Sequence, residues 1–253
     1  MGELADRLAK VYEAHRQKID RVERETAAAV VDIIAELERR MAGSGGGISS
    51  ERKAPFGQPP PPSTPALKAE EIKPLTTLET ATGSRITLIK ADITRLAIDA
   101  IVNPASRSLE GGGGLEGRIF AAAGKDFVDE CHGLGGVERG EAKITPGHQL
   151  LCRFVIHTAG PVWKGGDQGE PQMLASCYQN SLKLAKGYGL KSVAFPAIST
   201  GNFGYPLDQA TRVAVQEIAR FLSDNKGIEV VYLVGFGEDA VDAFSAALKE
   251  ITA

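Results

Sequence analysis

Asn103 to Gly117 reads N-P-A-S-R-S-L-E-G-G-G-G-L-E-G. Four adjacent glycines follow a strand-like apolar stretch and precede a helix-like one. Glycine has no Cβ, so its backbone can take φ > 0 and approach a ligand that a side chain would push away. A helix opening after Gly114 turns unpaired N–H groups and the positive end of its dipole toward the same spot. The loop suits an anion, and a diphosphate is the first ligand to consider. The run matches neither G-x-G-x-x-G nor G-x-x-x-x-G-K-[ST], and the same composition also serves as a flexible connection.

A second loop, I-S-T-G-N-F-G-Y-P over Ile198–Pro206, follows the apolar run Ser192–Phe195. It too sits where a strand hands over to a helix. In open α/β sheets ligands bind beyond the carboxyl ends of the strands, so two such loops can face one another across one nucleotide or phosphate.

Around these loops strands and helices alternate from Arg85 onward. Strands are predicted at Ile86–Lys90, Ala100–Asn103, Ala142–Thr145, Phe154–Thr158, Ser192–Ala197 and Glu229–Phe236. Helices are predicted at Leu115–Ala123, around Phe127, at Gln172–Lys186, at Leu207–Leu222 and at Asp239–Lys249. Runs such as V-V-Y-L-V are short and β-branched, as expected of strands covered on both faces. The pattern is that of a three-layer α/β/α domain.

Residues 3–41 contain no proline and carry an eleven-residue repeat: Leu8, Val11, His15; Ile19, Val22, Thr26; Val30, Ile33, Leu37; Met41. That period, about 3.67 residues per turn, keeps an apolar stripe nearly straight along a helix. Such a stripe needs a partner. Self-association or docking on another protein is one reading of it, and packing on its own domain is the other. From Ala42 the composition turns to G-S-G-G-G and then to Pro55, Pro59–Pro62 and Pro65. This is read as a linker over 42–80, with the domain itself over 81–253.

The 253 residues are 43% hydrophobic, enough for one sizeable core. A net charge of -3 leaves no basic excess to hold a nucleic-acid backbone, which argues against that partner. Cys131, Cys152 and Cys177 are odd in number and lack C-x-x-C spacing, which points to a reducing compartment and, with four scattered histidines, to no metal site. No apolar stretch is long enough to span a bilayer, and Glu3 and Asp6 are out of place in a signal or transit peptide. The expectation is an intracellular protein, cytoplasmic or nuclear, without membrane contact.

The set A-D-I-T at Ala91–Thr94, I-V-N-P-A-S at Ile101–Ser106, the glycine run, G-E-A-K-I-T-P-G at Gly140–Gly147, V-I-H-T-A-G-P at Val155–Pro161 and I-S-T-G-N-F-G-Y-P resembles the macrodomain family, closest to its MacroD-type branch. The resemblance implies a mixed central sheet and a cleft for ADP-ribose or an ADP-ribosylated protein, with no cofactor. It implies that Asp92 accepts a hydrogen bond from the adenine amino group, that Ile93 offers a backbone N–H, and that Phe236 packs on the base. It places Gly112, Gly113 and Gly114 with Ser199, Thr200, Gly201, Asn202 and Phe203 around the phosphates and distal ribose, and makes Asn103 a further ligand-binding residue.

The chain departs from that pattern at the chemistry. The family's N-A-A-N is here Asn103-Pro104-Ala105-Ser106, the Asp after the glycine run is Glu116, and a histidine one helical turn later is Phe120. Glu116 keeps the charge and is the candidate to orient or deprotonate a water, with Ser106 beside the distal ribose. As a plain acid in the first turn of a helix, Glu116 is also accounted for by the dipole alone. Three functions share this pocket: hydrolysis of ADP-ribosyl esters or of O-acetyl-ADP-ribose, non-catalytic reading of ADP-ribose, and dephosphorylation of ADP-ribose 1''-phosphate.

Overall fold

Along the most deeply buried strand, Val230–Gly235, side chains alternate between two cores: Val231 and Leu233 enter one, Val230, Tyr232 and Val234 the other. A strand sends successive side chains to opposite faces, so a run apolar at every position must be covered on both. The computed structural model describes residues 67–68 and 71–252. The helix expected over 3–41 and the linker up to residue 66 lie outside the described residues.

The elements in chain order are β1 (Leu67–Lys68), β2 (Thr76–Glu79), β3 (Arg85–Lys90), a 3-10 turn (Ile93–Arg95), β4 (Leu96–Ala97), β5 (Ala100–Pro104), α1 (Gly114–Ala123), α2 (Lys125–Gly133), β6 (Ala142–Pro146), β7 (Phe154–Thr158), α3 (Glu170–Gly187), β8 (Ser192–Phe195), α4 (Leu207–Asp224), β9 (Val230–Gly235) and α5 (Glu238–Glu250). Seven strands form one sheet in the order β2-β3-β9-β8-β5-β7-β6, and β1 pairs with β4 apart from it. The inner pairs are parallel, and both edge pairs, β2 with β3 and β6 with β7, are antiparallel. The sheet is therefore mixed, as expected.

Helices α3, α4 and α5 cover one face through residues such as Leu174, Ile218 and Phe244. Helices α1 and α2 cover the other through Ile119, Phe120 and Phe127. Each fully buried side chain of this size contributes about 2 kcal/mol of transfer free energy, so both helical layers are held by the sheet.

One boundary shifts. Thr76–Glu79 falls within the stretch read as linker, yet it is β2, in register with β3 from Thr76 opposite Leu88 to Glu79 opposite Arg85. Its residues are mostly exposed, as an edge strand allows, and so it carries no run of apolar residues to mark it.

The topology fixes where a ligand can sit. β3, β9, β8 and β5 are adjacent and parallel, so their carboxyl ends line up along one edge. From that edge emerge Ala91–Arg95, Phe236, the loop Pro196–Pro206 and the loop Ala105–Gly113. These are the segments that carry the expected site residues.

Candidate functional site

At one end of this edge is a cleft of about 280 Å³, lined by Ala91, Asp92, Ile93, Gly114, Leu115, Arg118, Pro196, Val234 and Phe236. Asp92 caps the 3-10 turn: its Oδ1 accepts from the Thr94 N–H at 3.0 Å and from the Thr94 hydroxyl at 2.7 Å. The carboxylate is thereby aimed, and Oδ2 accepts from Arg118 Nη2 at 2.8 Å. Phe236, just past β9, is 64% exposed, an unusual position for a large apolar ring. The Arg118 guanidinium lies over its face, 4.5 Å from the centroid.

The glycine run and the S-T-G loop approach each other beyond this cleft. A Cβ added at Gly113 would stand 3.6 Å from Asn202 Nδ2. Gly112, Gly113 and Gly114 are exposed, and Gly114 opens α1, whose first turn lacks intrahelical acceptors for its N–H groups. Within the S-T-G loop, Thr200 Oγ1 donates to the Ala197 carbonyl at 2.9 Å, and the Phe203 carbonyl accepts from the Trp163 N–H at 2.8 Å. Ser199 has φ 68°, an uncommon value for a residue with a side chain, and its buried hydroxyl has no hydrogen-bond partner among the described residues. Gly160, two residues past β7, must be glycine because a Cβ there would collide with Ser199 Oγ.

Under the glycine run sit Ser106 and Glu116, two of the departures from the pattern that the resemblance implies, and they bond to one another. Glu116 is 4% exposed. Its Oε1 accepts from the Ser106 N–H at 3.0 Å and the Ser106 hydroxyl at 3.1 Å, and its Oε2 accepts from the Gly112 N–H at 3.0 Å. A carboxylate has about four acceptor positions, and three are filled here. The expected water-handling acid is thus already employed tying the end of β5 to the glycine run. Gly117 completes the fit, since a Cβ there would strike the Gly112 carbonyl. The same device recurs at Glu170, in the first turn of α3, which accepts from the N–H groups of Lys164, Gly166 and Gln168. Burial raises the Glu170 pKa, and these backbone donors outweigh that effect and hold it below the usual carboxylate range.

Asn103 is placed differently from the expectation of a ligand contact. It is fully buried, and its Nδ2 donates to His157 Nδ1 at 3.2 Å. The cause is register: Asn103 on β5 lies directly opposite His157 on β7, so both side chains share the face covered by α2. His157 Nε2 is 3.0 Å from Thr145 Oγ1. With the amide donating to Nδ1, the neutral ring carries its proton on Nε2 and donates it to Thr145. Burial lowers the His157 pKa to about 4. Asn103 Oδ1 has no hydrogen-bond partner among the described residues. Phe120, where the resemblance implies a histidine, packs edge-on against Phe127 with centroids 5.1 Å apart and carries no titratable group toward the cleft.

The structure therefore gathers Asp92, Ile93, Gly114 and Phe236 at one end of the cleft and Gly113 opposite Asn202 in the middle. Ser106, Gly112 and Glu116 meet beneath the loop, and Asn103 is withdrawn below them. Arg118 was not singled out from the sequence. It follows Gly114 by four residues, and that spacing puts both on one helix face, which is the signal that would have found it. Burial raises the thiol pKa values of Cys131 and Cys152 to about 12, so neither is a nucleophile at neutral pH. Among the described residues no group of three His, Cys, Asp or Glu side chains is placed to hold a metal.

A model of the Macro domain matches residues 102–214. A macro domain-containing protein of Methanosarcina mazei is 47% identical over 167 residues, which is 66% of this chain and 89% of the relative. The O-acetyl-ADP-ribose deacetylase of Salmonella typhimurium is 43% identical over 171 residues, covering 66% of this chain and 96% of that protein. Among solved structures, the Oceanobacillus iheyensis macrodomain with ADP superposes with a TM-score of 0.67 at 36% identity, covering 70% of this chain and 96% of the other. The Trypanosoma brucei macrodomain in complex with ADP-ribose superposes with a TM-score of 0.67 at 34% identity, covering 73% and 78%.

Proposed function

This chain belongs to the macrodomain family, and we propose that it binds ADP-ribose along the edge of β3, β9, β8 and β5 and hydrolyses esters on the distal ribose. The observation that carries the binding is the approach of Gly113 to Asn202, which puts two N–H-rich loops on either side of one track. That track starts at Asp92 and Phe236, an acceptor and an aromatic face suited to adenine. A diphosphate then falls at the opening of α1, where the dipole and unpaired N–H groups favour negative charge.

Ester hydrolysis is supported by the relatives named as O-acetyl-ADP-ribose deacetylases. In such a step water adds to the acyl carbon, the ribose oxygen leaves with a proton, and a carboxylic acid and ADP-ribose result. Backbone N–H groups of the glycine run are suited to stabilise the developing oxyanion. Glu116 serves by fixing that run, and the ligand's phosphate helps to hold the water. A non-catalytic reader is the second reading, favoured by the near-complete occupation of the Glu116 carboxylate by Ser106 and Gly112.

The discriminating experiment measures ADP-ribose affinity and ester release side by side in wild type and Glu116→Gln. Gln presents an NH2 group to one of three donors that need an acceptor, so it also loosens the loop. Wild-type release confirms an eraser. If Glu116 holds the loop, affinity and turnover fall together in the variant, each by about tenfold. A turnover loss of about a hundredfold with affinity intact identifies Glu116 as the proton acceptor instead. Binding without wild-type release assigns the reader.

A further inference from the structure

Arg118 stands where a base would have to go. Its guanidinium covers one face of Phe236 at 4.5 Å and donates to Asp92 Oδ2 at 2.8 Å, while Asp92 Oδ1 is filled by Thr94. Both groups suited to recognise adenine are thus engaged by one side chain of the protein itself. A base stacked on that face of Phe236 needs ring separations of about 4.5 Å or more, which is the space the guanidinium fills. An exocyclic amine bonding to Asp92 Oδ2 meets the same competitor.

We propose that Arg118 is a resident cation of the base site, that adenine binding displaces it, and that this displacement sets the affinity of the domain for its nucleotide. The inference rests on the ADP-ribose reading of the cleft. Asp92 does not need Arg118 for its aim, because Thr94 already fixes the carboxylate from the backbone side. The pair is also open to solvent, with side-chain exposures of 48% for Arg118 and 30% for Asp92, so the arginine can swing out without breaking the core. An arginine that is free to leave competes with the base rather than building its pocket.

The test is calorimetric titration of ADP-ribose into wild type, Arg118→Ala and Arg118→Gln at low and high sodium chloride. Losing a cation near a diphosphate by itself weakens binding, so a gain in affinity can come only from uncovering Asp92 and Phe236. Both variants are expected to bind about tenfold tighter at low salt, the combined worth of one exposed ion pair and one exposed cation–π contact. The gap narrows at high salt, where screening already weakens the pair in wild type. Equal or weaker binding by both variants overturns the proposal and makes Arg118 neutral or a ligand contact. No binding by wild type or either variant overturns the ADP-ribose reading itself.

Discussion

At the Asp92 end of the cleft the polar groups meet at the surface: a half-exposed arginine, a partly exposed carboxylate and a ring that is 64% exposed. At the Glu116 end they meet inside, where Glu116, Asn103 and His157 are each 4% exposed or less and bond mainly to backbone or to each other. The same kinds of side chain therefore do different work. Exposed charges exchange partners at little cost, so the first end can tune affinity without changing the fold. Buried polar groups are costly to unpair, so at the second end the shape of the loop and the stability of the domain cannot be changed separately.

The largest consequence concerns His157. Its folded pKa, about 4, lies below the ordinary 6.5, so between these values the unfolded chain binds the extra proton. The associated stability is fully present above about pH 6.5 and is lost as pH falls toward 4. Wild type should lose about 2 kcal/mol of unfolding free energy from this residue between pH 7 and pH 5. Denaturant titrations across that range should show a steeper fall for wild type than for His157→Gln. Parallel slopes would mean that the imidazole is accessible to protons when folded, and the contrast between a buried and an open end would break.

A smaller effect tests how the Ser106 and Glu116 departures are linked. Relative to Asn and Asp, one position is shorter and the other longer, and the two side chains touch at 3.1 Å. Ser106→Asn alone crowds Glu116, and Glu116→Asp alone draws the carboxylate back from Gly112 and Ser106. The double variant restores the summed reach. A thermodynamic cycle on these variants should give a coupling of about 1.5 kcal/mol in favour of the double change. Additive losses would show that the pair is not a unit.

How much of this was legible in the sequence follows from what each feature depends on. The inner strands were readable because V-V-Y-L-V and its fellows must be covered on both faces. The edge strand Thr76–Glu79 was not, because an edge strand half in solvent needs no such pattern and follows a proline-rich stretch. Backbone features of the site were readable through glycine, as with the exposed run Gly112–Gly114. Side-chain direction was not: Asn103 turns away from the cleft because β5 and β7 are in a register that sets it against His157, a fact of pairing between segments 54 residues apart. Glu116 was open to two readings, an acid that handles water and an acid that merely suits the first turn of a helix, and the bonds from Ser106 and Gly112, set by tertiary contact, give it a third role that neither reading contained, that of a loop organiser.

The smallest expected effect lies at the open end. Phe236→Ala removes an aromatic face that no core residue depends on, so unfolding free energy should change by less than about 0.5 kcal/mol. Stacking of a base on an aromatic side chain is worth about 1–3 kcal/mol. Here the lower bound applies, because a base on the covered face must first give up the cation–π contact that Arg118 makes. ADP-ribose affinity should therefore fall about fivefold, with the thermal midpoint unmoved. A drop in the midpoint instead would show that Phe236 is part of the core, and the two ends of the cleft would no longer divide affinity from stability.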